Sequence, residues 1–204
     1  MTNDTKDGGR KKRVRRDRRE EILQEASKLF GIHGFRGTSL ALIAEAVDLT
    51  EPGLLHYFPS KVILLQSVLA YRDQQDEKKY TELFQLDNYS QLDIFKALED
   101  LVAENENRPG LVRLFTVLVG ESIREDHPSH EYFVNRYEQI REAFKGYLSD
   151  VQQISPDVDI DQLSALVFAV MDGLQIQWLL DPENVSMSET FSLFSKIMVA
   201  YLHG

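Results

Sequence analysis

The 204-residue chain carries a formal charge of −10 and is 43% hydrophobic, which excludes an acidic disordered chain and allows one or two cored domains. It has no cysteine, so disulfides and thiolate metal sites are excluded. The polar start MTNDTKDGG lacks the apolar core of a signal peptide, and no run reads as an uncharged membrane span; a cytoplasmic protein without a membrane partner is expected.

The charge is unevenly placed. Residues 1–20 contain nine Lys/Arg and four acids, while the other 184 residues contain 14 bases and 29 acids. Residues 1–17 therefore read as a basic N-terminal arm on an acidic body, an asymmetry associated with nucleic-acid binding; a solvated tail is the alternative.

The pattern that follows is helical almost throughout. Ile22, Leu23, Ala26, Leu29 and Phe30 share one face of a first helix. Gly31, Gly34 and Gly37 are expected to break it. Thr38 suits the N-cap of a short helix through Ala46 that buries Leu42, Ile43 and Val47 or their neighbours. Thr50 suits the cap of the next, with Pro52 tolerated in its first turn. Ser60 caps a longer helix carrying Val62, Leu65, Val68 and Leu69.

Beyond about residue 80, Ser90 opens a helix with Leu92, Phe95, Leu98 and Val102 at helical spacing, and Arg108-Pro109-Gly110 marks a break. Leu111 to Val119 is apolar nearly all round and predicts a buried central helix. Pro128 suits the first position of a helix carrying Phe133, Tyr137, Ile140, Phe144 and Val151. Ile160 to Leu180 is strongly apolar, and Ser188 suits the cap of a last helix through Tyr201. The expected fold class is all-α, of about nine helices. It divides into a small N-terminal unit over 18–64 and a larger C-terminal unit over 65–204.

The stretch Thr50 to Phe58 fits a recognition helix, which must be short, exposed at its start and braced from behind. Leu54 and Phe58, spaced i and i+4, can anchor it. Thr50, Glu51, Gly53, His56 and Tyr57 then remain outward candidates for contact with double-stranded DNA. Lys61, at the start of the following helix, can meet a phosphate. Arg36, Thr38 and Ser39 flank the motif on its entry side, and Arg13, Arg15 and Arg16 belong to the arm.

The run FGIHGFRGTSLALIAEAVDLTEPGLLHYFPSKVILL resembles the DNA-binding domain of the tetracycline-repressor (TetR) family, with matches at Gly34, Phe35, Thr38, Ile43, Ala44, Ala46, Phe58, Ser60 and Lys61. Three positions depart from the family pattern. Asp48 stands at the turn in place of Gly, which a left-handed Asp can tolerate. Leu55 replaces a Tyr that often contacts a phosphate, a role His56 and Tyr57 could assume. Glu51 replaces a small, polar or basic residue; it accepts from a cytosine amino group or, as favoured, faces solvent. The resemblance implies that 18–64 is a helix-turn-helix DNA-binding domain and 65–204 a ligand-binding and dimerisation domain of a homodimer on a pseudo-palindromic operator, released by a small-molecule effector. The repressor sign also comes from the resemblance, and an activator would read the same.

From Glu21 to Lys61 there are three bases and five acids, so the helix-turn-helix supplies little counterion release. The arm is expected to provide much of the electrostatic affinity, by way of the minor groove. Leu163, Leu166, Val170 and Leu174, with Phe194 and Met198, exceed what one small core needs and are expected at the dimer interface. The resemblance also assigns the last two helices to a dimer four-helix bundle.

Phe115, Phe133, Tyr137 and Trp178 are candidates for an effector pocket, with ordinary core packing the alternative. Asp172 reads either as a ligand-contacting acid or, as favoured beside Gly173, as a polar residue at a helix seam. His127 and His130 read as a polar helix entry rather than a metal pair. No catalytic constellation, cofactor motif or metal site stands out. The second class of function, an all-α enzyme or interaction scaffold without DNA binding, predicts a dispensable basic arm.

Overall fold

The computed structural model describes residues 6–84, 90–149, 151, 154–155 and 157–203, and the side chains of 18–74, 90–149, 151, 154–155 and 157–202. Among the described residues there are nine helices and no strand. They are α1 (Lys6–Gly37), α2 (Leu40–Ala46), α3 (Glu51–Tyr57), α4 (Lys61–Phe84), α5 (Gln91–Glu106), α6 (Pro109–Glu121), α7 (His130–Ser149), α8 (Ile160–Leu180) and α9 (Met187–His203). The chain forms two compact units that divide between Arg72 and Asp73, inside α4, whereas the pattern of the sequence places the division at 64.

In the first unit, Ile22, Leu23, Ala26 and Phe30 of α1 are buried, as the periodicity predicts, with Leu29 at the edge. They are joined by Ile43, Ala44 and Val47 around α2, by Leu54 and Phe58 around α3, and by Leu64, Leu65, Val68 and Leu69 of α4. Leu42 is the exception: it lies on the outer side of α2 and is 36% exposed. The helical backbone starts at Lys6, so the basic segment forms the first turns of α1 rather than a separate arm. The expected break at three glycines also narrows. Only Gly34 leaves helical geometry (φ 71°, ψ 172°), and Gly31 and Gly37 lie within helical backbone.

The second unit is built on α5, which packs most extensively against α9, and on α8, which packs against α6, α7 and α9. Its core joins Ile94, Phe95, Val102, Phe144, Leu163, Val167, Leu174 and Phe191. Ser90 closes a capping box with Asp93 at the start of α5, as its position predicts. Leu92, by contrast, points outward and is 64% exposed, because the buried stripe runs through Ile94, Phe95 and Val102 instead. Helix α6 is one-sided rather than buried all round: Val112, Leu114, Phe115 and Leu118 face inward, while Arg113 and Val117 face outward. Pro128 sits in the turn ahead of α7, which begins at His130, and Val151 lies beyond its end.

Helix α8 has 21 residues and is long and apolar enough to cross a membrane by length and composition, where the sequence reading expects no such span. Its packing against α6, α7 and α9 accounts for part of that apolar character, while Leu166, Ile176 and Leu180 stay exposed.

The start of α9 differs from expectation in a way that matters for stability. Ser186, not Ser188, caps the helix, accepting from the Glu189 amide at 3.2 Å. Ser188 instead donates from both its amide and its hydroxyl to the Glu106 carboxylate at the end of α5. Burial would raise the Glu106 carboxyl, but the hydrogen bonds from Ser188, Met187 and Ser186 outweigh it and hold it below its ordinary value. A carboxyl depressed on folding contributes stability that is complete above its unfolded value, near 4.5, and is lost as pH falls through the lower folded value. Glu106→Gln should therefore lower the unfolding temperature by a few degrees at neutral pH. The gap between the two proteins should close in acid, as measured by thermal unfolding across a pH series.

Candidate DNA-binding surface

The entry to the helix-turn-helix is set by Gly34 and Thr38. The left-handed φ at Gly34 turns the chain out of the helix, a conformation that suits glycine. The Thr38 hydroxyl then donates to the Gly34 carbonyl at 2.8 Å, with the Leu29 carbonyl at 3.2 Å beside it. Thr38 is fully buried, so it neither caps α2 nor faces DNA, and the expectation of a DNA contact there is corrected. Ser39 is the cap: its hydroxyl accepts from the Leu42 amide at 3.0 Å, and it is exposed.

Between α2 and α3 the turn survives the substitution of Asp48 for the family's glycine. Asp48 takes φ 51° and is the one non-glycine residue with positive φ among the described residues. Thr50 caps α3 by accepting from the Gly53 amide at 3.2 Å, with Pro52 in the first turn. A Cβ at position 53 would lie 3.2 Å from the Thr50 hydroxyl, so glycine there leaves room for the cap. Leu54 and Phe58 are fully buried and anchor the helix. Of the outward candidates, Thr50, Glu51 and His56 are exposed, whereas Gly53 and Tyr57 are half-buried, as is Leu55. The His56 and Tyr57 rings meet edge to face, 6.0 Å apart.

Several cations near this helix are engaged within the protein. Lys61 donates to the Thr38 carbonyl at 2.7 Å and lies 4.5 Å above the Phe35 ring, and burial lowers its pKa. It thus braces α4 against the entry to α2 while remaining half-buried at the surface. Arg18 donates to the Val47 carbonyl and pairs with Glu21 at 2.7 Å. Arg19 donates to the Tyr57 carbonyl at 2.8 Å, with its guanidinium 4.2 Å from the Phe58 ring. In the sequence these two simply continue the basic run, where nothing distinguishes an inward arginine from an outward one. Arg36 is exposed in the last turn of the α1 backbone. The side chains of Arg13, Arg15 and Arg16 lie outside the described residues.

In the second unit a polar cluster surrounds Arg136 of α7. Its Nε and Nη2 donate to Asp73 at 2.6 and 2.8 Å. Its guanidinium lies 4.7 Å from the Phe115 ring, which meets Phe133 edge to face at 5.6 Å. Burial opposes the Arg136 charge, but Asp73 outweighs it and raises its pKa. Tyr137 donates to Asp172 at 2.6 Å, joining α7 to α8 as the seam reading of Asp172 holds. Burial pushes the Asp172 carboxyl upward, and burial with the neighbouring carboxylates pushes the Tyr132 and Tyr137 hydroxyls upward. Among the described residues, the Tyr132 hydroxyl and Thr116 Oγ1 are buried without a hydrogen-bond partner. Three of the four pocket candidates thus gather around Arg136. Trp178 belongs instead to the apolar core with Met171 and Met187. Nothing in the sequence signals the part played by Asp73, 63 residues from its partner.

His127 accepts from the Ser129 amide at 3.2 Å and His130 Nδ1 meets the Ser122 carbonyl at 2.9 Å, an arrangement that orders the turn before α7. Among the described residues no group of His, Asp or Glu is placed to hold a metal.

The dimer candidates divide. Leu163, Leu174 and Met198 are buried in the core of their own unit, Val170 and Phe194 are half-buried, and Leu166 is exposed. The outward apolar face consists of Leu166, Ile176 and Leu180 on α8 and of Leu193, Ile197 and Tyr201 on α9. The core assignments are corrected because α5 claims the inner face of α9, and α6 and α7 pack on α8.

Residues 22–68 match the family described as bacterial regulatory proteins, tetR family, and residues 93–196 match the BetI-type transcriptional repressor C-terminal family. The chain belongs to the TetR family of transcriptional regulators. Members are DNA-binding repressors with ligand-binding C-terminal domains, and the enzyme or scaffold alternative finds no support among the relatives. The chain is 24% identical over 198 residues to the nucleoid occlusion factor SlmA of Sodalis glossinidius, covering 95% of this chain and 98% of that protein. Its fold is similar to that of FadR from Bacillus subtilis in complex with stearoyl-CoA (TM-score 0.73, 11% identity, 90% of this chain and 99% of that one). It is also similar to a transcriptional regulator from Saccharomonospora viridis in complex with choline (TM-score 0.69, 21% identity, 90% and 95% covered).

The burial of Thr38 has a direct consequence. Thr38→Val keeps the shape but leaves the Gly34 carbonyl without its side-chain donor, at a cost of about 1–3 kcal/mol. Chemical denaturation should show this loss in the absence of DNA. An operator contact at this position would instead lower DNA affinity and leave stability unchanged.

Proposed function

We propose that this chain is a homodimeric repressor that binds a pseudo-palindromic operator in the cytoplasm and is released by a small-molecule effector. The observation that carries the reading is α3: capped by Thr50, anchored by Leu54 and Phe58, with Glu51 and His56 exposed and Tyr57 half-buried beside them. Ser39 and Arg36 flank it and are positioned for backbone contacts. The test is retardation of the gene's own upstream DNA in a gel with unrelated competitor DNA in excess. Displacement by the competitor would defeat the proposal.

The dimer forms through the outward faces of α8 and α9. Leu180, Leu193 and Tyr201 are 81%, 59% and 54% exposed, an apolar exposure that a lone subunit would carry as an aggregation hazard. The Leu193→Asp/Ile197→Asp double variant should sediment as a monomer with its helix content kept, and should lose operator binding. A stable dimer would place the interface elsewhere.

The effector acts on the second unit at the cluster of Arg136, Tyr132, Tyr137, Phe115 and Phe133, where buried polar groups and aromatic rings converge. The relatives' bound molecules, choline in one case and stearoyl-CoA in another, differ too widely to name it.

The basic segment supplies the phosphate contacts. Deleting residues 1–16 removes Lys6, Arg10, Lys11, Lys12, Arg13, Arg15 and Arg16 and leaves the buried Ile22, Leu23, Ala26 and Phe30 of α1 in place. The slope of log affinity against log salt should fall by roughly 0.9 for each phosphate that is no longer neutralised, with sequence preference largely kept. Equal slopes for the full and shortened proteins on one operator would exclude the segment from the DNA backbone.

A further inference from the structure

Two neighbouring arginines of α1 reach the two ends of the segment that holds the recognition helix. Arg18 donates to the Val47 carbonyl, at the end of α2, and its Nη2 lies 3.5 Å from the Asp48 carbonyl. That is the turn in which Asp48 takes its left-handed conformation. Arg19 donates to the Tyr57 carbonyl, in the last turn of α3, and covers the ring of Phe58, which is fully buried. Seven-residue helices leave most of their C-terminal carbonyls without an internal partner, so an external donor at the end of α2 and another at the end of α3 are a substantial part of what holds the segment. A guanidinium suits the task, because it can donate in plane and stack on an aromatic face at once. A cation at a helix C-terminus also meets the negative end of the helix dipole.

We propose that Arg18 and Arg19 are positioning residues for DNA recognition, clamping the recognition segment to α1 at both of its ends rather than neutralising operator phosphates. Their charge belongs to the protein's internal architecture, and the salt-sensitive part of DNA affinity comes from elsewhere on the chain. This rests on the DNA-binding reading above, but the clamp itself exists in the free protein and can be tested there.

The experiment uses the full chain with Arg18→Ala, Arg19→Ala and Arg19→Lys. In the free protein, amide hydrogen exchange over residues 49–58 should become about tenfold faster in each alanine variant, with residues 22–30 of α1 unchanged. On operator DNA, affinity should fall by about tenfold in each, while the slope of log affinity against log salt stays at the wild-type value. Arg19→Lys keeps the charge but loses the planar stack, so it should recover only part of the affinity. It also carries the test if an alanine variant fails to fold. The proposal is overturned if the slope drops by roughly 0.9 for each arginine removed and unrelated DNA is weakened equally, for that is the signature of a phosphate contact. Full recovery by lysine, or exchange unchanged over 49–58, overturns it as well. If the wild-type chain retards no DNA, the repressor reading fails, and the exchange measurement still decides whether the clamp exists.

Discussion

A seven-residue helix pairs few of its own backbone groups: the first four N–H groups and the last four carbonyls have no partner inside it. Both α2 and α3 are of that length, and the first unit is organised around satisfying their ends. Ser39 and Thr50 serve the amino ends. Arg18 and Arg19 serve the carbonyl ends, and Lys61 serves the carbonyl of Thr38 just ahead of α2. The apolar burial of Ile43, Leu54 and Phe58 accompanies the packing of α2 on α1 and of α3 on α2, but it is non-directional. The polar ties fix the angle, and a recognition helix is useful only at a fixed angle.

The same ties shape the electrostatics. From Glu21 to Lys61 the chain carries five acids against three bases, and one of those bases, Lys61, is bonded inward. Lys28 pairs with Glu25 at 2.8 Å. An acidic unit whose cations are largely occupied has little left with which to release counterions from DNA. The segment before Asp17, with its seven Lys/Arg, carries the dense positive charge of the chain. That division of labour reconciles an acidic protein with a polyanionic partner. In the proposed reading, recognition by shape and base edges comes from α3, and attraction comes from a separate stretch of sequence.

Much of this is legible from residue spacing. Leu54 and Phe58 at i and i+4 define the anchored face of α3, and with it the exposed Glu51 and His56. Asp48 can be read as a turn residue because few side chains accept a left-handed backbone. What spacing does not carry is the direction of a polar side chain. Thr38 has the chemistry of a helix cap, and so does Ser39 next to it; Ser39 takes the cap because the kink at Gly34 needs a buried donor, which Thr38 supplies. Arg18 and Arg19 are chemically identical to the arginines before them, and only the distance from α1 to the ends of α2 and α3 separates their roles. The pairing of Asp73 with Arg136 has no local signature at all.

Helices α8 and α9 show the same limit for apolar residues. Both are rich in large side chains on more than one face, so composition announces a surplus without saying which face is surplus. Packing decides it. Helix α5 lies along α9 and takes Phe191, Met198 and Leu202 into the core, while α6 and α7 hold the inner side of α8. What remains on α9 is Leu193, Ile197 and Tyr201, at the i, i+4 and i+8 positions of one stripe, and on α8 the outward Leu166, Ile176 and Leu180. Exposed apolar residues on two helices that pack against each other are what a second copy of the same pair can cover by two-fold symmetry. The core and the proposed interface are therefore opposite sides of the same two helices. A substitution at Leu193 should act on assembly while one at Phe191, two residues away, acts on folding.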